Sequence, residues 1–270
     1  MNSFNLPYYN NTDYPLAVKN QLEQLDYTDD IAKQLRYNQF IPKEFYARAL
    51  HLRGMLIAHG TGQGKTKLAV AIAENFRDYD PRRNVIILLP KSLEGNFRNT
   101  IKSYSQNKDD KYIDNNYSFI SLNASNMFKQ VSNADKTKEE IEYEKRLGDF
   151  MNDVIRKNSL DNSLLIIDEA HNLFNAITNG AKNAVALYDL IMNAYNIKLL
   201  FLTGTPIIND PFELVPCFNM LRGFIKLNIA ISDKQINIKN KFSKTIKFKN
   251  ETNETNETNE TNETNETNET

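Results

Sequence analysis

"IAHGTGQGKTKLAVAIAE", residues 57–74, changes character twice. The apolar run Met55–Ala58 leads into it and reads as a strand, and Lys67–Asn75 has good helical propensity. Between them lie Gly60, Thr61, Gly62, Gln63, Gly64, Lys65 and Thr66. The glycines let the backbone bend so that successive N–H groups point inward, and the following helix adds the positive end of its dipole. A strand–loop–helix junction of this kind is built to hold phosphate oxygens. Lys65 would neutralise β- and γ-phosphate charge, and the Thr66 hydroxyl would hold Mg2+. The strict pattern G-x-x-x-x-G-K-[ST] wants Gly at position 59, where this chain has His59; the core Gly62-Gln63-Gly64-Lys65-Thr66 is intact.

Outward from this loop, apolar strand-like runs alternate with helix-like stretches between Leu35 and Phe224. The runs Met55–Ala58, Val85–Leu89, Phe119–Leu122, Leu164–Ile167 and Leu199–Leu202 are nearly continuous in Val, Ile, Leu and Phe. Such strands are buried on both faces, as in a parallel sheet. Amphipathic spacing predicts helices over Thr66–Phe76, Glu139–Ile155 and Ala184–Tyr195. The alternation predicts an α/β fold with a mostly parallel doubly wound sheet, whose ligands bind at the carboxyl ends of the strands. Residues 104–118 and 123–138 are polar and read as surface loops or weak helices. The first 34 residues read as an N-terminal extension, mostly loop, with one short helix near Ala17–Leu25.

Four segments follow: an extension at 1–34, the α/β body with the phosphate loop at 35–225, a basic tail at 226–249, and seven copies of Asn-Glu-Thr at 250–270. The repeat has no apolar residue to bury and is expected to be disordered. Each triplet matches an N-glycosylation acceptor, but an expansion of simple-sequence DNA explains the repeat better. The formal charge is −1 over 270 residues; without the seven Glu of the repeat it becomes +6. A mildly basic body is compatible with a polyanionic partner without demanding one. No apolar run approaches the roughly 20 residues that cross a bilayer. The N-terminus lacks the basic and apolar regions of a secretory signal. The single cysteine, Cys217, excludes an internal disulfide framework and a cysteine-rich zinc site. A cytoplasmic protein is expected.

Two further stretches end in chemistry. In "LLIIDEAHNLF", a buried strand ends in Asp168-Glu169-Ala170-His171. An acidic residue there can hold Mg2+, and the adjacent Glu169 can orient and deprotonate an attacking water. In "LLFLTGTPIIND", Leu199–Leu202 ends in Thr203-Gly204-Thr205-Pro206. Hydroxyls at that strand end can bond the acidic motif and sense the nucleotide. Each stretch taken alone also fits a strand meeting a polar turn.

Together, Gly-Thr-Gly-Gln-Gly-Lys-Thr, Asp-Glu-Ala-His and Thr-Gly-Thr-Pro resemble, in that order, motifs I, II and III of superfamily-two helicases and translocases. "VIILLPKSLEGNF" resembles motif Ia, which implies that Pro90, Lys91 and Ser92 face a nucleic-acid backbone. "YSFISLNASN", Tyr117–Asn126, sits where a motif Ib-like strand and loop belong. "LRYNQF" resembles the segment that precedes the P-loop in Swi/Snf-type translocases, which implies that Gln39 reads the adenine edge. "HGTGQGKT" and "LTGTPIINDPFELVPCFNMLRG" look most like the Swi/Snf-related ATPases and early transcription factors of large DNA viruses, poxvirus- and mimivirus-like. The resemblance covers residues 35–225 and implies that they form a RecA-like P-loop domain, the helicase ATP-binding lobe. It implies ATP and Mg2+ as ligands, Lys65, Asp168 and Glu169 as catalytic residues, and His171, Thr203, Gly204 and Thr205 as coupling residues. It also implies nucleic acid, DNA ahead of RNA, as partner, with the host cytoplasm or the virion as location.

The pattern departs from the family after Pro206, where Arg222 is the only arginine. Motors of this superfamily hold ATP between two RecA-like lobes, and the second lobe supplies arginine fingers. The expectation is therefore one lobe of a DNA-dependent ATPase, completed by a second lobe or by transcription machinery. A non-catalytic nucleotide-dependent module and a truncated remnant are the alternatives. A small-molecule kinase leaves Thr-Gly-Thr-Pro unexplained.

Overall fold

The five apolar runs become five strands of one sheet. The computed structural model describes residues 3–7, 11–81, 83–104, 109–122, 124–134 and 158–223. Its strands are β1 (Gly54–Ala58), β2 (Val85–Leu89), β3 (Tyr117–Ser121), β4 (Leu164–Ile167) and β5 (Lys198–Thr203). All pairings are parallel, in the order β1-β5-β4-β2-β3. Every residue of β2 and β4 is buried, which is why their sequences do not alternate. Period-two geometry sorts them nonetheless. Val85, Ile87, Leu89, Leu164, Ile166, Leu200 and Leu202 enter one core, and Ile86, Leu88, Leu165, Ile167, Leu199 and Phe201 enter the other.

The first core is covered by α3 (Tyr37–Arg48), α4 (Lys65–Tyr79), α5 (Glu94–Tyr104) and α6 (Asp110–Asn116), preceded in the chain by α1 (Tyr14–Glu23) and α2 (Asp29–Gln34). The second is covered by α7 (Met127–Ser132), α8 (His171–Thr178), α9 (Lys182–Asn193) and α10 (Leu214–Arg222). On that side Phe174 of α8 meets Phe201 of β5 edge-on, with ring centroids 5.3 Å apart.

Several elements differ from their sequence-based bounds for physical reasons. The polar stretch 104–118 contains α6 and the start of β3, which begins at Tyr117 rather than Phe119, because the buried Tyr117 hydroxyl bonds the Glu74 carboxylate on α4. The stretch 123–138 contains α7, anchored by the buried Met127 and Val131. Within the first 34 residues α2 forms where Thr28 Oγ1 accepts the Ile31 N–H at 3.4 Å. Leu25, Tyr27 and Ile31 then pack on Leu35, Phe40 and Ala71. The helix expected over Glu139–Ile155, the basic tail and the Asn-Glu-Thr repeat lie outside the described residues.

From β1 the chain crosses by α4 to β2, passing the places that β5 and β4 later fill. That reversal brings the carboxyl ends of β1, β5 and β4 side by side, the place where open α/β sheets bind ligands.

Candidate nucleotide site

The loop after β1 takes its shape from two glycines. Gly62 and Gly64 have φ of 78° and 82°, a region that L side chains rarely adopt. A Cβ on Gly62 would meet nothing within 4 Å, so the concave side of the loop is open there. A Cβ on Gly64 would strike the Gln39 side-chain amide. Gln39, 3% exposed on α3, donates from Nε2 to the Gly64 carbonyl at 3.0 Å and accepts the Arg36 N–H on Oε1 at 3.0 Å. Both ends of its amide are engaged within the chain. Gly60 and Gln63 close the loop tip through Gln63 N–H to the Gly60 carbonyl at 3.3 Å, with the exposed Thr61 between them.

Lys65 and Thr66 open the 15-residue helix α4, so backbone N–H groups and the helix dipole converge on the same point. Lys65 Nζ donates to the His59 carbonyl at 3.0 Å, and it lies 3.7 Å from where a Gly204 side chain would begin. Thr66 Oγ1 accepts from Asn96 Nδ2 of α5 at 3.5 Å. His59 N–H donates to the Thr203 carbonyl at 3.1 Å, tying the loop to β5. Burial and the Lys65 ammonium depress the His59 pKa, and its Nδ1 has no hydrogen-bond partner among the described residues.

Asp168, at the end of β4, is 4% exposed and accepts the Glu169 N–H on Oδ1 at 3.0 Å. Burial pushes its carboxyl up to about 6; the Glu169 N–H bond opposes the rise, the Glu169 carboxylate adds to it, and Lys65 draws it down. Glu169 has φ of 50°, a backbone position that costs a side-chain-bearing residue about 1–2 kcal/mol. Its Oε2 lies 3.4 Å from His171 Nδ1, which in turn lies 2.8 Å from the Thr203 hydroxyl. Thr203, fully buried, donates to the Thr205 carbonyl at 3.0 Å and accepts the Thr205 N–H at 3.1 Å. With the Thr203 proton so directed, His171 Nδ1–H is left as the donor to Thr203.

Pro90, Lys91 and Ser92 follow β2, the neighbour of β4, on the same rim. Lys91 Nζ meets Glu94 Oε2 at 2.5 Å on the surface.

The residues fit a Mg2+–nucleotide pair. Asp168 is a buried carboxylate with a backbone N–H for company and a raised pKa, the condition a divalent cation relieves. Among the described residues no group of three or more His, Cys, Asp or Glu forms a closed cage for a metal. Mg2+ takes one or two protein oxygens and completes its shell with phosphates and water. His59 and Asn96 take part in the site without a sequence signal: one acts through its carbonyl, the other reaches from a helix thirty positions on.

The family described as the type III restriction enzyme res subunit matches residues 17–208. The chain belongs to this family. It carries an N-terminal RecA-like lobe of the superfamily-two helicase type. A termination factor NPH-I homolog of African swine fever virus is 35% identical over 252 residues, covering 81% of this chain and 32% of the relative. A protein of Acanthamoeba polyphaga mimivirus, named for an ATP-dependent RNA helicase, is 30% identical over 78% of this chain and 35% of its own length. Nucleoside triphosphatase I of Heliothis armigera entomopoxvirus is 26% identical over 87% of this chain and 32% of its own length. The helicase lobe thus spans about a third of the length of these viral relatives. Among the described residues no helix is long and apolar enough to cross a membrane.

Proposed function

We propose that this lobe binds MgATP and forms half of the ATPase site of a motor that tracks duplex DNA during viral transcription. The observation that carries the reading is the meeting of Lys65, Asp168 and the His171–Thr203 pair at the ends of three adjacent strands. The names of the viral relatives, a termination factor and a nucleoside triphosphatase, support the pathway.

The loop amides of Gly60–Gly64 and the Lys65 ammonium take the β- and γ-phosphates, for which Lys65 leaves the His59 carbonyl. Gln39 faces the adenine edge once its amide turns from Gly64. Thr66 and Asp168 would hold Mg2+, whose charge neutralises phosphate oxygens. Glu169 accepts the proton of the water that attacks the γ-phosphorus as the bond to the ADP oxygen breaks. His171, Thr203, Gly204 and Thr205 carry the change at Glu169 to the loop after β5. Pro90, Lys91, Ser92 and the loop after Leu122 touch the nucleic-acid backbone, so binding is salt-sensitive and weak for half a groove.

An opposing arginine is worth about 10³–10⁵ in rate, and after Pro206 these 270 residues contain only Arg222. In this reading an arginine from a second RecA-like lobe or a transcription partner would complete the site, and turnover by these 270 residues by themselves is slow. ATPase assays with and without duplex DNA, against Lys65→Ala and Glu169→Gln, test this. Weak turnover, lost in both variants, is expected; strong DNA-stimulated turnover by the chain alone contradicts the half-site.

A further inference from the structure

The loop that leaves β5 depends on a side chain that the proposed chemistry does not use. Residues 204–210 join Thr203 to the 3-10 turn Pro211–Glu213 and so to α10. Apolar packing does not hold this loop, since Ile207 is 40% and Ile208 47% exposed. Glu213, by contrast, is 1% exposed. Its carboxylate accepts the Ile208 N–H at 2.7 Å and the Asn209 N–H at 3.1 Å. A second tie runs from Asn209 Nδ2 to Asn175 Oδ1 of α8 at 3.4 Å, on the helix that His171 opens.

Withdrawing a carboxylate from water is tolerated only where donors replace the water. Here the donors are two loop amides. Helix capping does not account for the residue. Glu213 occupies the position just before α10, yet it makes no capping bond to that helix and reaches backward into the loop instead. Asp210 already caps the turn by accepting the Phe212 N–H at 2.9 Å. A cap would be served by a shorter Asp, Asn or Ser; the added methylene of Glu supplies reach.

We infer that Glu213 is a positioning residue. It holds residues 204–209 so that Thr205 stays bonded to Thr203 and, through Thr203, sets the hydrogen bond of His171. The inference rests on the reading of His171 and Thr203 as the pair that couples the nucleotide site to its surroundings.

The test uses the full chain labelled with nitrogen-15, in which His51, His59 and His171 are the three histidines. The His171 imidazole nitrogen signals are compared in wild type, Glu213→Ala, Glu213→Gln and Glu213→Asp. Thr203→Val marks the signal of a broken His171–Thr203 bond, and Cys217→Ala in the buried face of α10 controls for general destabilisation. Glu213→Ala and Glu213→Asp should move the His171 signals toward their Thr203→Val positions. Glu213→Gln, which keeps the length and one acceptor oxygen but sets its NH2 against the other loop N–H, should move the signal less than Glu213→Ala or Glu213→Asp, and Cys217→Ala should leave it in place. Where turnover is measurable, kcat falls by roughly 10-fold in Glu213→Ala with KM for ATP unchanged. Rescue by Asp rather than Gln, or a His171 signal that no Glu213 variant moves beyond the Cys217→Ala control, overturns the inference. If Glu213→Ala does not fold, the Gln–Asp contrast decides alone. Failure to bind ATP would refute the proposed function while leaving the nitrogen signals to judge Glu213.

Discussion

Asp168 titrates close to neutrality because burial pushes its carboxyl from the ordinary aspartate range up to about 6. An acid whose pKa is raised by folding contributes stability that is full below its unfolded value and is lost as pH rises through its folded value. The window for Asp168 is therefore pH 4 to 6, and a shift of about two units corresponds to about 3 kcal/mol. Asp168→Asn should make the nucleotide-free chain more stable than wild type at pH 7, with the difference vanishing near pH 4, as urea unfolding at the two pH values would show. The same variant should lose Mg2+-dependent nucleotide stabilisation. The two loop glycines separate strain from contact. Gly62→Ala should cost about 1–2 kcal/mol from its positive φ alone, since nothing lies within 4 Å. Gly64→Ala should cost more, because it also displaces Gln39 from the Gly64 carbonyl. Equal melting temperatures for the two variants would contradict this difference. Lys65, Asp168 and Thr203 stand out in the sequence because Asp168 and Thr203 sit at the ends of apolar strands and Lys65 closes the glycine loop that follows one. The Lys65–His59 and Thr66–Asn96 bonds could not, since each depends on how separate elements meet.

At the scale of elements, the legible part was the part with a strong period. The strands β2 and β4 have the bounds their apolar runs predict, since continuous Val, Ile and Leu leaves one solution, a strand covered on both faces. Helix α4 extends one residue before and three beyond its predicted span, because the loop presents Lys65 directly to the helix start and Tyr79 completes the last turn. The polar segments were harder. Helices α6 and α7 are short and bury one or two residues each, so their stability comes from the sheet rather than from their own pattern. Helix α3 carries Pro42 inside it, which breaks the local signal while Phe40 and Tyr46 anchor it against α4 and the sheet. Phe201 joins the core below α8 and α10 to the strand that delivers Thr203. Phe201→Ala should cost about 3–5 kcal/mol in urea unfolding. A loss below about 1 kcal/mol would show that the face is not packed as described.

At the scale of the whole molecule, one sheet edge gathers phosphate loop, acidic pair and hydroxyl pair, and that edge is what the sequence made readable before any fold was known. The order of the strands was not readable, because parallel strands buried on both faces carry no register signal of their own. It is the order β1-β5-β4 that converts three separate motifs into one site. The central claim is that this site holds MgATP through Lys65 and Asp168. Calorimetric titration of the purified chain with a slowly hydrolysed ATP analogue, with and without Mg2+, tests it most directly. Saturable binding that is strengthened by Mg2+, retained in Glu169→Gln and weakened at least about tenfold in Lys65→Ala is the predicted result. Absence of binding by the wild-type chain, or equal binding by Lys65→Ala, would contradict it.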